Sequence, residues 1–173
     1  MTTWKIDKAH SEIGFKIKHL MVSNVRGHFN EFDGSITMPD ENFTNANIEF
    51  TAQAVSINTK NEMRDGHLRS AEFFNSDEFP TLSFTSNNIV DHGDSKYTVN
   101  GNLTMHGITK EVSLDTLFNG MTKDMEGHDV MSFEVTGTIN RTDFELTWNK
   151  PIETGGFVLS DEVKLDMNVE FKK

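Results

Sequence analysis

Cysteine is absent from this sequence of 173 residues, and it has only three prolines and one tyrosine. Without cysteine the chain cannot form disulfides, use a thiolate nucleophile or hold zinc through sulfur. No run approaches the roughly 20 apolar residues of a membrane-spanning helix, so we expect no stable membrane insertion. The formal net charge is −11 and no Lys or Arg cluster is present. Nucleic-acid binding is therefore not expected, because phosphate recognition needs a basic surface.

A signal peptide is not evident in residues 1–10, which lack a charged start followed by an apolar stretch. This predicts a cytoplasmic protein, or a periplasmic or otherwise extracytoplasmic one if an export signal has been removed. The chain contains no internal repeat, low-complexity segment or linker, and its length suits one domain over residues 1–173.

Phenylalanine is the abundant aromatic residue, with fourteen Phe against two Trp. Phe supplies a large apolar surface without a polar group. Composition alone is compatible with an ordinary Phe-rich core and with a Phe-lined cavity.

Period-two alternation of apolar and polar residues dominates the chain and indicates strands with one buried face. It is clearest near the end, in the series Val163, Leu165, Met167, Val169 and Phe171. The parity changes between Phe29 and Phe32, which predicts a bulge near Asn30–Glu31. We count about eight long strands, the number found in small ligand-holding barrels.

Four segments depart from this rhythm. Residues 61–74 predict one or two short helical turns across a barrel end, and residues 141–148 a short helix or a bend. Residues 121–128 read as a loop, and His106–Gly107 as a tight hairpin turn. With so little helix, the sheet must close on itself or split into a sandwich.

Several short motifs lie along the chain in a fixed order. They are His10-Ser11 with Ile13-x-Phe15-x-Ile17-x-His19, Gly27-x-Phe29-x-x-Phe32-x-Gly34, Arg64-Asp65-x-His67-Leu68, Phe73-Phe74, Gly101-x-Leu103-Thr104, Gly107-x-Thr109-Lys110, Arg141-x-Asp143-Phe144 and Asp161-Glu162-Val163. In this order and spacing the chain resembles the YceI-like, polyisoprenoid-binding family over nearly its whole length. Glu145 departs from the small residue that many members have after the Asp-Phe pair.

This resemblance implies an all-β fold, an eight-stranded antiparallel lipocalin-like barrel with one or two short helices. It also implies a long apolar pore that holds a polyisoprenoid, such as a polyprenyl chain or an isoprenoid quinone, without a covalent bond. A homodimer is implied as well. No cofactor or metal is expected beside the lipid, and the seven scattered His do not form a metal-ligand motif.

The candidate ligand-binding residues come from the alternating faces and the motifs. The pore candidates are Phe15, Ile17, Phe29, Phe50, Phe84, Leu103, Phe118 and Phe133. Phe73, Phe74 and Trp148 are expected to close one end, and His19 to lie at the mouth as a quinone partner. Burial contributes roughly 0.8 kcal/mol per CH₂, so ten buried carbons offer on the order of 8 kcal/mol before ordering costs, near micromolar affinity.

Arg64, Asp65 and His67 form the most enzyme-like cluster. Asp65 is placed to orient a His67 base, and Arg64 to hold an anionic head group. The alternative is structural: Arg64 and Asp65 pair to cap a loop, and His67 bonds to backbone.

For the whole chain, a lipid carrier is the leading hypothesis. The competing classes are an enzyme acting on a lipid head group, and a side-chain-filled barrel that binds another protein.

Overall fold

The alternating segments form antiparallel strands in the computed structural model, which describes residues 1–153 and 155–173. The strands are β1 Thr2–Ile6, β2 Glu12–His19, β3 Ser23–Phe29, β4 Phe32–Met38, β5 Asn47–Gln53, β6 Ile57–Asn58, β7 Thr81–Asp91, β8 Lys96–Met105, β9 Ile108–Lys123, β10 Asp129–Asn140 and β11 Leu159–Lys172. The α-helix of the described residues, α1, is Glu62–Arg69.

Eight barrel strands arise from these eleven because three of them are interrupted. β1 and β2 lie end to end, since both pair with β11, and they face β4 and β3 respectively. β3 and β4 are separated by Asn30 and Glu31, and β5 and β6 by a 3-10 turn at Ala54–Ser56. Each of these pairs forms one long barrel strand.

The barrel closes on itself in sequence order. Neighbouring barrel strands pair antiparallel all the way round, and β11 completes the ring by pairing with β1, Phe171 opposite Ile6. Closure removes exposed sheet edges. The predicted lipocalin-like barrel of eight antiparallel strands is confirmed, and the sandwich that the pattern left open is excluded.

The up-and-down order places the connections at two ends. One end, called the mouth below, carries the β2–β3 turn, residues 59–80 with α1, the β8–β9 turn and residues 141–158. The other end, called the closed end, carries the β4–β5, β7–β8 and β9–β10 connections together with both termini.

The predicted irregular segments agree with the structure in most places. Asn30 and Glu31 interrupt a strand, α1 lies within residues 61–74, and Arg141–Phe144 is a 3-10 turn. His106 and Gly107 turn the chain with φ of 55° and 74°, as the hairpin prediction requires.

Two predictions about local structure need correction. The 121–128 loop is shorter than expected, because β9 extends to Lys123 and pairs with β10 up to Asp129. The first strand, β1, was not predicted, although Trp4 and Ile6 alternate with polar residues there and are buried.

Glu145 has a left-handed backbone, with φ of 58° and ψ of 25°, at the end of the 3-10 turn. Its N–H donates to the carbonyl of Thr142 at 3.0 Å. This conformation favours Gly, because Gly has no Cβ, and this explains why a small residue suits the position.

No helix among the described residues is long and apolar enough to cross a membrane.

Candidate functional site

The barrel encloses a cavity of about 400 Å³, and all eleven strands contribute side chains to its wall. The wall is almost entirely apolar, and the volume lies in the range of about 300–1,000 Å³ that is usual for small-molecule sites. The Phe-rich composition therefore produces a Phe-lined cavity in addition to a core.

Strand alternation explains the wall. On β11 the inward residues from Val163 to Val169 are half-buried, while the residues between them are exposed to solvent. Inward residues of a filled core would be fully buried. These remain partly accessible because they face the open space of the cavity.

All but one of the predicted ligand-binding residues lie in this wall. They are Phe15, Ile17, His19, Phe29, Phe50, Arg64, His67, Phe73, Phe74, Phe84, Leu103, Phe133 and Trp148.

Phe118 is the exception, because it is not among the residues that line the cavity. It pairs with Phe133 across β9 and β10, and the two ring centroids are 5.3 Å apart. Phe133 also contacts Phe43, with centroids 5.1 Å apart, and Phe43 contacts Tyr97 at 5.0 Å. Phe118 thus packs beside Phe133 in an aromatic cluster near the closed end.

Three rings meet at the mouth. Trp148 lies edge-on to His67, with centroids 4.8 Å apart, and is 5.3 Å from Phe73. His67 is also edge-on to Phe73 at 5.0 Å. Phe74 packs deeper, against Phe29 at 6.1 Å. That Phe73, Phe74 and Trp148 close this end stays a prediction.

Thr59 anchors α1 over the mouth. The carboxylate of Asp65 accepts hydrogen bonds from the Thr59 N–H at 2.9 Å and from its hydroxyl at 2.5 Å. Arg64 donates from Nε to the Thr59 hydroxyl and from Nη2 to the Thr59 carbonyl, both at 2.7 Å. Asp65 is buried, and these bonds satisfy its charge.

This arrangement corrects the structural alternative for the cluster. Arg64 and Asp65 both bind Thr59 instead of pairing with each other. His67 bonds through Nε2 to the carboxylate of Glu72, not to backbone; the His67 side chain is partly exposed and that of Glu72 is exposed.

The same geometry bears on catalysis. Asp65 does not orient His67, because its oxygen is engaged by Thr59. An acid–base role for His67 would rest on the exposed Glu72 instead. The proximity of Arg64 and His67 in the cavity wall suits contact with a polar group at the mouth.

Arg141 is a wall residue that sequence reasoning did not select as a site residue. It is 3% exposed, and it donates to the carbonyls of Ser160, Leu146 and Trp148 at 2.9, 2.5 and 2.9 Å. Burial lowers the pKa of its guanidinium, and Asp161 nearby opposes that effect. Its signal in the sequence is the Arg-x-Asp-Phe motif directly after a strand.

A closed barrel of eight antiparallel strands around an apolar cavity defines the lipocalin-like class of ligand-holding barrels. The YceI-like domain profile matches residues 4–171. The chain belongs to the YceI-like family.

Relatives and solved structures agree with this assignment. A UPF0312 protein of Staphylococcus aureus (strain MSSA476) is 42% identical over 99% of this chain and 98% of its own length. The Campylobacter jejuni YCEI protein is 33% identical, covers 96% of this chain and 95% of its own, and superposes with a TM-score of 0.78.

A more distant structure shares the fold. The polyisoprenoid binding domain from Saccharophagus degradans, implicated in plant cell wall breakdown, is 15% identical and has a TM-score of 0.68. It covers 98% of this chain and 97% of its own.

Proposed function

We propose that the protein binds one long isoprenoid lipid inside the barrel without a covalent bond, for carriage or storage. The observation that carries this proposal is the apolar cavity of about 400 Å³ that runs between the closed end and the mouth. An uncharged, branched tail gains free energy from such a wall because its carbons leave water.

The distribution of polar groups supports one orientation of the ligand. Among the charged or imidazole residues of the wall, His19, Arg64, His67 and Arg141 lie at the mouth. Glu49, on β5, is the remaining one and is an exposed residue. The tail therefore extends towards Phe43, and a polar head group such as a quinone ring or a terminal alcohol or phosphate stays near the mouth.

Two competing classes are less well supported. A protein-binding module with a filled barrel would have an interior packed by side chains, whereas this one holds an open cavity. An enzyme acting on the head group would need His67 to work with Glu72, and in that case His67→Ala abolishes turnover and leaves tail binding intact. The homodimer is a separate proposal, which sedimentation of the purified protein tests.

Native mass spectrometry of the purified protein, followed by organic extraction, tests the proposal. The expected result is a stoichiometric isoprenoid, or its uptake when a quinone or polyprenol is added. A mass without ligand and without uptake would overturn the proposal.

A matched pair of variants locates the ligand. Val135 faces the cavity from β10, so Val135→Trp fills the channel and should abolish uptake. Val90 is 40% exposed on the outside of β7, so Val90→Trp adds the same side chain and should leave uptake unchanged. Equal uptake by both variants would place the lipid outside the cavity.

A further inference from the structure

A patch of exposed apolar side chains lies at the mouth, outside the cavity. Leu20, Met21 and Val22 form the β2–β3 turn and are 43%, 51% and 87% exposed, and Phe157 in the neighbouring loop is 53% exposed. We call these four residues the rim patch.

The two parts of the rim patch are held together. The N–H of Leu20 donates to the carbonyl of Val158 at 2.8 Å. The side chain of Met21 lies over Gly156, where an added Cβ would be 3.3 Å from Met21 Cγ. The β2–β3 turn and the loop that carries Phe157 therefore present one surface.

The backbone conformation of the β2–β3 turn is unfavourable for Leu20 and Met21. Leu20 and Met21 have φ of 52° and 65°, and the N–H of Val22 donates to the carbonyl of His19 at 3.3 Å. A turn with two positive φ values prefers Asn-Gly and similar pairs. Leu and Met at these positions do not stabilise the turn, so we infer that their side chains serve a function other than folding.

The rim patch continues the cavity wall to the outside. His19, Val158 and Leu159 line the cavity, and they adjoin Leu20 and Phe157 in the chain. An apolar surface thus extends from the barrel interior to its outer edge. Exposed apolar surface at a ligand entrance is typical of contact with another apolar phase.

The β2–β3 side of the rim patch is basic, although the protein as a whole is acidic. The chain carries a net charge of −11, yet residues 13–30 contain no Asp or Glu, the longest such stretch in the sequence. The same stretch has Lys16, Lys18 and Arg26. The neighbouring loop has Lys150 but also Glu153, and Asp161 and Glu162 follow it, so the basic surface lies on β2 and β3. Basic side chains beside an apolar surface fit the head groups of anionic lipids.

We propose that the rim patch docks the barrel, mouth first, on the surface of an anionic lipid bilayer. The apolar residues enter the interface and the flanking Lys and Arg contact the head groups, so that an isoprenoid passes between bilayer and cavity without crossing water. This inference rests on the proposed function for its purpose, but docking itself is measured independently of ligand uptake.

Vesicle flotation tests docking. The full-length protein is mixed with vesicles of equal parts phosphatidylglycerol and phosphatidylcholine, or of phosphatidylcholine alone. We expect flotation with the anionic vesicles, weakened by salt and by removal of phosphatidylglycerol. Because binding scales with inserted apolar area, Leu20→Asn combined with Met21→Gly should lower vesicle affinity about tenfold.

That double variant separates docking from folding. Asn-Gly suits the positive φ values of the turn, so its melting temperature should equal or exceed that of the original chain. Val22→Ser with Phe157→Ser is a second variant that leaves the turn backbone unchanged, and it should also lower flotation. Met125→Ser is the control, because Met125 is fully exposed at the closed end and should not affect flotation.

Uptake of a short isoprenoid alcohol from detergent, followed by native mass spectrometry, completes the test. Normal uptake by every variant, with flotation lost only in the rim-patch variants, supports the proposal. Normal uptake without flotation of the original chain, or equal flotation by all variants, overturns docking and leaves the proposed function standing. A dimer that the rim-patch variants dissociate, without flotation of the original chain, overturns docking in favour of contact between two copies. Absence of uptake counts against the proposed function instead.

Discussion

Phe15 occupies the space above Gly27 on the neighbouring strand, where an added Cβ would lie 2.5 Å from Phe15 Cζ. The two residues are direct partners between β2 and β3. Phe84 of β7 likewise covers Gly101 of β8, which is two residues from its direct partner Leu103, and an added Cβ on Gly101 would lie 2.4 Å from Phe84 Cζ. Because these glycines lack side chains, large rings settle against the wall and leave the centre of the barrel open.

Gly27→Ala should therefore narrow the cavity. The methyl group would also lie 2.9 Å from Thr59 Cγ2, so the Phe15 ring must move inward. Overpacking of this kind costs about 1–3 kcal/mol of folding free energy. We expect lower stability in urea and a larger loss of affinity for long tails than for short ones, measured by native mass spectrometry.

Gly66→Ala is the matched control for this substitution. Gly66 lies within α1, and nothing approaches within 4 Å of its Cβ position. Ala should stabilise the helix by up to about 1 kcal/mol and leave uptake unchanged. If Gly27→Ala behaves like Gly66→Ala, the glycine does not maintain the cavity.

The strands were largely predictable because period-two alternation reports which side chains face inward. The break at Asn30–Glu31 could be read from the parity change between Phe29 and Phe32. β1 was missed because it has only five residues, and so few alternating positions give a weak signal. Closure itself depends on how β1 meets β11, which no local pattern encodes.

Which side chains face the barrel interior was predictable, but which of them line the cavity was not. Alternation indicates that Phe118 faces inward, yet it could not show that its ring packs against its cross-strand partner Phe133 and that only Phe133 lines the cavity. The motif that contains Arg141 could be recognised in the sequence, but the role of its side chain could not. Its partners Ser160, Leu146 and Trp148 come from separate segments that meet only in the folded chain.

Arg141→Met should destabilise the mouth. The substitution leaves three carbonyl acceptors without their donor, of which the bond to Leu146 is buried and the other two are partly buried. An unsatisfied buried group costs roughly 1–3 kcal/mol, so we expect a loss of about 2 kcal/mol or more. Urea unfolding measures this loss. Arg141→Lys should recover only part of it, because one ammonium does not reproduce the planar fork of donors.

Arg69→Met is the comparison for Arg141→Met. Arg69 pairs with Glu62 at 3.2 Å, and the Glu62 side chain is 86% exposed. Arg69 also donates from Nε to the carbonyl of Val55, and that bond is exposed to solvent. Exposed pairs contribute about 0–1 kcal/mol, so this variant should remain close to the original stability. Equal losses in the two variants would contradict the structural role assigned to Arg141.

Lys172 links three segments at the closed end, and this predicts acid sensitivity. Its Nζ lies 3.1 Å from Asp7 and 3.2 Å from Asp124. Partial burial raises the pKa of Asp124, but hydrogen bonds from the His128 backbone, Lys172 and the His128 side chain outweigh it and hold that pKa well below its ordinary 3.8. A carboxylate with a lowered folded pKa stabilises the fold above pH 3.8, and this contribution is lost as the pH falls further.

Asp124→Asn should thus lower the melting temperature at pH 7, and the difference from the original chain should shrink as the pH falls below 3.8. Thermal unfolding between pH 7 and pH 2 measures this trend. Asp166→Asn, on the outer face of β11, is the control and should show little difference at any pH. A pH-independent difference for Asp124→Asn would contradict the charge-based explanation.

Trp148 should control how fast a bound lipid leaves the cavity. Its ring packs against His67 and Phe73 at the mouth, and aromatic pairs contribute about 0.5–1.5 kcal/mol each beyond their buried area. A tail that leaves through the mouth must separate these rings. Trp148→Ala should therefore speed release about tenfold, since changes in affinity mostly affect dissociation rates.

Transfer of a bound isoprenoid to excess empty acceptor protein, followed by native mass spectrometry, measures the release rate. Trp148→Phe keeps an aromatic ring and should have a smaller effect. Unchanged release from Trp148→Ala would show that the lipid leaves by another route.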